Sequence, residues 1–230
     1  MRRDVDKVES VYDTVAKEYA EAFSDEHEKK PKDQEVLRRF ATEISDREPV
    51  WDLGCGPGHT AAYLKNLGVE ISGLDLSQKS LEQARALHPD IHFRKGNLLD
   101  LEFDDDSIAG AVAFYAIVHF TEDQVGTAFR EVFRALRPGG LFLLTFHIGE
   151  EPIHIDEFLG KKVDIDFSFF STAFVHGCLK ETGFERIELV EREPYRGEEY
   201  ESRRAYVFAV KPVGERGRES SLPGQAPQKL

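Results

Sequence analysis

The amino-acid sequence predicts an α/β protein organised around a doubly wound, mostly parallel sheet. Three observations carry that expectation. Short apolar runs of strand length alternate with segments whose apolar residues recur at helical spacing, which favours parallel pairing with crossover helices on both faces. The first run ends in a glycine-rich turn that leads straight into a helix. The last two runs follow one another with no convincing helix between them, so an antiparallel pair is expected at one edge.

Taken in chain order, Val8, Val11, Tyr12, Val15, Tyr19 and Phe23 share one face of an amphipathic helix. A lysine-rich loop over residues 26–32 leads to a second helix bearing Val36, Leu37 and Phe40. The period then changes. Residues 50–53 read as a buried strand, 60–67 as a helix, 71–74 as a strand, and 77–87 as a helix capped by Ser77. Residues 91–94 and 108–117 follow as strands. A helix over 122–136 is stopped by Arg137-Pro138-Gly139-Gly140, and 141–148 is another buried strand. A loop, a helix over 172–181 and strands over 185–191 and 205–210 complete the pattern. The Pro-, Gly- and Ser-rich stretch over 213–230 has no apolar period and is expected to be disordered.

The 230 residues suit one domain over 1–212. The 43 acidic against 30 basic residues give a net charge of −13, which disfavours nucleic acid and anionic membrane surfaces as partners. No apolar run approaches the roughly 20 residues of a membrane-spanning helix, and no secretory leader is recognisable. Cys55 and Cys178 are far apart, so neither a disulfide scaffold nor a cysteine-based zinc site is expected, and a cytoplasmic location follows.

The most informative segment is Val50-Trp51-Asp52-Leu53-Gly54-Cys55-Gly56-Pro57-Gly58-His59-Thr60. Glycines permit the turn and let a ligand approach the backbone, while the helix start offers unpaired N–H groups. Asp75 closes the next strand about 20 residues on, where a carboxylate can take two ribose hydroxyls. A dinucleotide fingerprint would place its third glycine at His59; here the spacing is G-x-G-x-G. A pyrophosphate is also badly matched to Asp52, whereas a cationic sulfonium with an amino-acid tail tolerates it. Cys55 is small enough for the turn and is read as packing, and Trp51 as core.

With D-L-G-C-G-P-G, S-G-L-D-L-S, K-G-N-L-L-D, A-F-Y-A-I-V-H and L-R-P-G-G-L-F-L-L-T in order, the chain resembles the class I S-adenosylmethionine-dependent methyltransferases from about Tyr12 to Val210. The resemblance implies a Rossmann-like seven-stranded sheet with its last strand antiparallel. It implies S-adenosyl-L-methionine as cofactor, with Gly54, Gly56 and Gly58 facing the methionine part beside Asp52 and Cys55. Asp75 would hold the ribose, Leu76 would pack on adenine, and Asn97 with Leu98 would flank the ring. Many members carry Asp where this chain has Asn97, an amide that can still accept from the adenine amino group. Residues 8–45 would form a helical lid over an α/β core at 46–212, with Tyr12 and Tyr19 as wall and hydrogen-bonding residues.

Ligands of a doubly wound sheet sit over the carboxyl ends of its strands. Phe114, Tyr115 and His119 follow the fourth strand and His147 ends the fifth; Phe114 is assigned to the cofactor, and His119 and His147 are candidate catalytic bases. Tyr115, Phe167 and Phe170 are candidate walls for a small organic acceptor, Phe167 and Phe170 reading equally as core. If the last strand alternates, one of Arg203 and Arg204 faces inward to meet an anionic group. No metal-ligand spacing is present around His147 and His154, so no metal is expected. The fourth strand lacks the [D/N]-P-P-[Y/F] turn of enzymes acting on base or glutamine amines, which argues against nucleic acid and such amides and for a small organic acceptor; an oxygen or nitrogen nucleophile is favoured, with sulfur and carbon left open. An NAD-dependent oxidoreductase and a non-catalytic cofactor-binding protein are the alternatives.

Overall fold

The computed structural model describes residues 2–214, and the segment from 215 onward, where most of the expected tail falls, lies outside the described residues. Three helices come first: α1 (Arg2–Ala22), α2 (Glu26–Lys29) and α3 (Pro31–Ile44). Then follow β1 (Val50–Leu53), α4 (His59–Asn66), β2 (Ile71–Asp75), α5 (Gln78–Leu87), β3 (His92–Lys95), β4 (Ile108–Phe114) and α6 (Glu122–Ala135). The remainder is β5 (Leu136–Ile148), β6 (Ile153–Phe158), β7 (Lys161–Phe167), α7 (Thr172–Thr182), β8 (Glu185–Arg192) and β9 (Arg203–Val210).

Seven strands form one sheet in the order β3-β2-β1-β4-β5-β9-β8. Strands β1 to β5 pair parallel, and β9 is inserted antiparallel between β5 and β8. The order reverses beside β1, where β2 lies on one side and β4 on the other; such a switch point leaves a crevice over the strand ends. Along β5 the side chains alternate between two cores. Phe142, Leu144 and Phe146 meet Val125 and Phe129 of α6 and Val175 and Leu179 of α7. Leu141 and Leu143 share the opposite core with Leu37 and Phe40 of α3, Leu64 of α4 and Leu81 of α5.

The helix starts follow local chemistry. The Ser77 hydroxyl accepts from Ser80 N at α5, and Thr121 with Gln124 makes a reciprocal capping box at α6. Ser171 caps α7, and Gly183 ends it in the left-handed region.

Three expectations are corrected. The strand expected over 108–117 stops at Phe114, because Tyr115 turns into the left-handed region at φ 56° and gives its N–H to Thr145. The loop expected after the fifth strand contains the β6–β7 hairpin, a second, two-stranded sheet. The lysine-rich loop over 26–32 contains the short α2 and the start of α3. Among the described residues no helix is long and apolar enough to cross a membrane.

Candidate active site

The glycine loop is held to the end of β2 by its own backbone. Gly54 N and Cys55 N both donate to Leu74 O, at 2.7 and 3.0 Å. Gly56 N donates to Asp75 Oδ2 and Ser77 N to Asp75 Oδ1, each at 2.8 Å. One carboxylate therefore fixes both the loop and the start of α5, with further lone pairs left on each oxygen. All three glycines have positive φ, but for different ends. A Cβ on Gly54 would lie 2.7 Å from Ala116 Cβ, and one on Gly58 would lie 2.7 Å from the Phe93 ring. A Cβ on Gly56 would meet nothing within 4 Å. Gly58 lines no part of the cavity; it serves close packing against Phe93, and its expected place beside the methionine part is corrected on that ground.

Two joined compartments lie over these strand ends. The smaller, about 120 Å³, is lined by Asp75, Leu76, Ser77, Asn97 and Leu98 and closed by Val8, Glu9 and Tyr12 of α1. The larger, about 440 Å³, lies between the N-terminal helices and the β6–β7 hairpin. Tyr12, Tyr19, Gly54, Gly56, Phe114 and Tyr115 line both. Helix α1 is seated there by Asp13, which accepts from the Ser77 hydroxyl at 2.6 Å and from Lys79 N at 3.0 Å.

Asn97 spends its side-chain oxygen on Leu99 N at 2.9 Å, keeping one lone pair and its amide donors. Asp52 lines the larger compartment and is only 1% exposed. Neither of its oxygens has a hydrogen-bond partner among the described residues, the Ala61 N–H acting on it only weakly. Burial, and then the Asp75 charge, pushes its carboxyl up to about 8. Cys55 is buried as well, and burial raises its thiol well above the ordinary range, in keeping with packing.

The two histidines occupy different compartments. His119 Nδ1 lies 2.7 Å from Asp166 O, which can only accept, so Nδ1 carries the proton. Its Nε2 then accepts from the Tyr12 hydroxyl at 2.9 Å. Burial pushes His119 down to about 4. It lines the smaller compartment only, so the expectation that it faces the acceptor is corrected: its ring orients Tyr12. His147 lines the larger compartment, 2.7 Å from the Ser202 hydroxyl through Nδ1. Burial, followed by Arg204 and Lys30, pushes it down to about 3.

Of the candidate acceptor residues, Tyr115, Phe167 and Arg204 line the larger compartment. Arg203 does not. It points to the other side of β9, half exposed, and pairs with Glu191 and Glu193. Phe170 also leaves the cavity; it is 5% exposed, stacked on Phe174 in the core of the α7 face. Both are corrected by the same physics, since alternation along a strand and burial of an aromatic ring each choose one face. Sequence reasoning missed Lys30, Ile153, Ile155, Phe158, Glu199 and Tyr200, all of which line the larger compartment. The alternating Ile153, Ile155 and the Val163, Ile165, Phe167 series around Leu159-Gly160 is a hairpin signal that would have found the hairpin residues.

Behind Arg204 lies a buried ionic cluster. Arg192 contacts Asp33 at 3.2 Å, the Tyr206 hydroxyl at 2.6 Å and Glu199. The Tyr206 hydroxyl also donates to Asp33. Glu199 is 3.4 Å from Arg204 and 3.6 Å from Lys30, which also pairs with Glu26. Among the described residues no group of three or more His, Cys, Asp or Glu side chains is arranged to hold a metal ion.

A glycine loop and an acid at adjacent strand ends, at the switch point of a doubly wound sheet, with a second compartment alongside, define a nucleotide-cofactor group-transfer site. Residues 50–140 match the family described as "Methyltransferase domain". A probable S-adenosylmethionine-dependent methyltransferase of Mycolicibacterium smegmatis is 34% identical over 110 residues, 48% of this chain and 42% of that protein. The O-methyltransferase cnsE of Penicillium expansum is 26% identical over 152 residues, 63% of this chain and 54% of that protein. The chain thus spans about half the length of the curated relatives it matches. Among solved structures, a methyltransferase from Methanosarcina mazei superposes with a TM-score of 0.68 at 17% identity, over 76% of this chain and 97% of that one. The [4+2]-cyclase SpnF superposes with a TM-score of 0.69 at 19% identity, over 91% and 97%. At these identities the two structures share the fold. Residues 50–140 thus carry the likeness to methyltransferase domains, and the chain as a whole shares their fold.

The cavity fits that family's cofactor by its own chemistry. Asp52 offers an orphaned buried carboxylate to a cation, and Gly56 leaves open the space a side chain would fill. Asp75 keeps lone pairs for hydroxyl groups.

Proposed function

We propose that the protein transfers a methyl group from S-adenosylmethionine to a small organic acceptor through an oxygen or nitrogen nucleophile. The observation that carries this reading is the pair of joined compartments that share Gly54 and Gly56 of the glycine loop, the smaller walled by Asp75 and the larger rich in aromatic side chains. When bound, the cofactor supplies a methyl group already activated by the sulfonium charge. The protein's part is to bind, align and exclude water. Asp75 would take the ribose hydroxyls, Leu76 and Leu98 would flank the adenine, and Asp52 would face the charged methionine tail beside Cys55. Tyr12 and Tyr19 would close this half from α1. Phe114 and Tyr115 would form the partition where the two reactants meet, with Phe167 on the hairpin side. The aromatic lining of the larger compartment favours an acceptor with a flat or apolar body. The free thiols of Cys55 and Cys178 favour a reducing compartment, the cytoplasm.

Calorimetric titration tests the reading. S-adenosylmethionine and its demethylated product should both bind, and NAD should not. NAD binding without a response to S-adenosylmethionine would overturn the proposal in favour of the oxidoreductase.

A further inference from the structure

The inner end of the larger compartment is crowded with hydrogen-bond donors. Tyr115 sits at its centre: its ring is 5.1 Å from that of His147, with Lys30 Nζ 5.9 Å and Arg204 Cζ 6.0 Å from its centroid. All four side chains line the cavity. Two of their polar atoms are buried without a partner among the described residues, the Tyr115 hydroxyl and Arg204 Nε. The other guanidinium nitrogens of Arg204 are engaged by Ser202, by Tyr200 O at 2.8 Å and by Glu199.

The proton on His147 follows from the same network. The Ser202 hydroxyl accepts from Arg204 at 2.6 Å and has one proton of its own to place. Its other side-chain neighbour is His147 Nδ1, at 2.7 Å. With Nδ1 accepting, Nε2 carries the ring proton, and the imidazole becomes a donor instead of a base. Burial first, and then the cations Arg204, Lys30 and Arg192 set against the one carboxylate Glu199, keep this ring from taking a second proton. Glu26 is paired with Lys30, Asp33 is held by Arg192 and Tyr206, and Asp25, Lys29 and Glu198 are the other charged residues of these helices and of the segment before β9 that line the compartment.

We propose that His147, Arg204 and Tyr115 form an oxyanion subsite that binds the acceptor as an ionised acidic hydroxyl or carboxylate, so that no side chain has to act as general base. This rests on the methyltransferase reading and names the acceptor class for it. The acceptor's proton leaves to solvent before transfer. A lone pair on the oxyanion then forms the O–CH3 bond as the S–CH3 bond breaks and its electron pair stays on sulfur; the negative and positive charges cancel. The arrangement accounts for buried donors that have no partner among the described residues beside Glu199 and Lys30, and for the imidazole there being held neutral.

The probe is 4-nitrophenol, whose ionised form is coloured, titrated into the full chain in the presence of S-adenosylhomocysteine across pH 5 to 9. The bound probe is expected to ionise at least about tenfold more readily than the free one. His147→Ala should abolish the shift. His147→Gln, whose amide can still donate, should keep most of it, and Tyr115→Phe should reduce it. Binding of the neutral phenol would overturn the subsite, as would no binding at millimolar probe. Equal loss in His147→Gln and His147→Ala would also overturn it, because it would mean that the ring itself is needed. Cofactor-product binding is measured by calorimetry on the same samples. If it is present and the ionisation shift absent, the subsite fails and the methyltransferase reading stands; if it is absent, that reading fails whatever the probe does.

Discussion

The compartment facing the glycine loop and the compartment facing the β6–β7 hairpin adjoin each other but are assembled in different ways. The first draws on the stretch from Gly54 to Leu98 and on the residues from Phe114 to Phe120 after β4, with α1 laid over it. Much of its geometry is backbone: the loop N–H groups on Leu74 O and Asp75, and a Gly56 that leaves space open. The second draws on α1, α2, the end of β4, β5, the hairpin and the segment before β9, and its character is set by side chains that meet only in three dimensions. A site carried by backbone and local spacing constrains the cofactor closely. A site carried by converging side chains can change its acceptor by changing a few of them.

That contrast can be broken by exchanging effects between the halves. The largest effect is expected from Gly56→Val. Its side chain would enter the open space, and its left-handed φ of 51° would cost about 1–2 kcal/mol. Calorimetry should find cofactor-product binding lost, with a folded spectrum retained; unchanged binding would mean that the loop is not a cofactor wall. Asp75→Ala comes next. Losing charge-assisted bonds of roughly 1.5–3 kcal/mol each should weaken binding at least about tenfold. On the hairpin side, Phe158→Ala should leave cofactor affinity as it is and raise the acceptor KM by about 10- to 100-fold, the equivalent of roughly 1.5–3 kcal/mol of buried aromatic surface. Equal damage to both ligands would erase the distinction between compartments.

Two buried groups of the larger compartment should also titrate in opposite directions. Asp52 is raised in the fold to about 8 from an ordinary carboxylate value, so it stays protonated where the unfolded chain has ionised. Its contribution is full below about pH 4 and is lost as pH rises toward 8. His147 is lowered to about 3, so the unfolded chain takes up a proton that the fold does not. Its contribution is full above about pH 6.5 and is lost as pH falls toward 3. Each is on the order of a few kcal/mol at the far end of its window. Urea unfolding of the cofactor-free protein should therefore show Asp52→Asn flattening the loss toward pH 8 and His147→Gln flattening the loss toward acid. The smallest effect is expected at the exposed pair between Lys7 on α1 and Asp164 on β7, at 2.8 Å; Lys7→Ala should leave the Tm unchanged within error.

How legible each region was follows from how it is made. The parallel strands, their helices, Ser77 as a cap and Asp75 at the end of β2 all depend on periodicity and spacing over a few residues, and the structure has each of them, with β4 ending three residues sooner and β5 starting five residues earlier than the pattern implied. Leu76, Asn97 and Leu98 came with the same motifs and line the smaller compartment. The choice between Arg203 and Arg204 stayed open, because strand alternation says that one faces inward and not which one. Phe167 and Phe170, two aromatics in one loop by sequence, went to the cavity and to the core respectively.

The sequence by itself determined the doubly wound architecture, the switch-point loop, its acidic partner and the likeness to methyltransferase domains, because those features are written in local pattern and in backbone requirements that few residues satisfy. Only the tertiary structure decided what surrounds the acceptor. The hairpin wall, Lys30 and Glu199 at its inner end and the buried Asp33, Arg192 and Tyr206 cluster join residues 14 to 173 positions apart. The hydrogen-bond partners of the histidines were decided there too. A ring nitrogen donates or accepts according to its partner, and the partners of His119 and His147 lie 47 and 55 residues away along the chain, at Asp166 and Ser202, where no local pattern reaches.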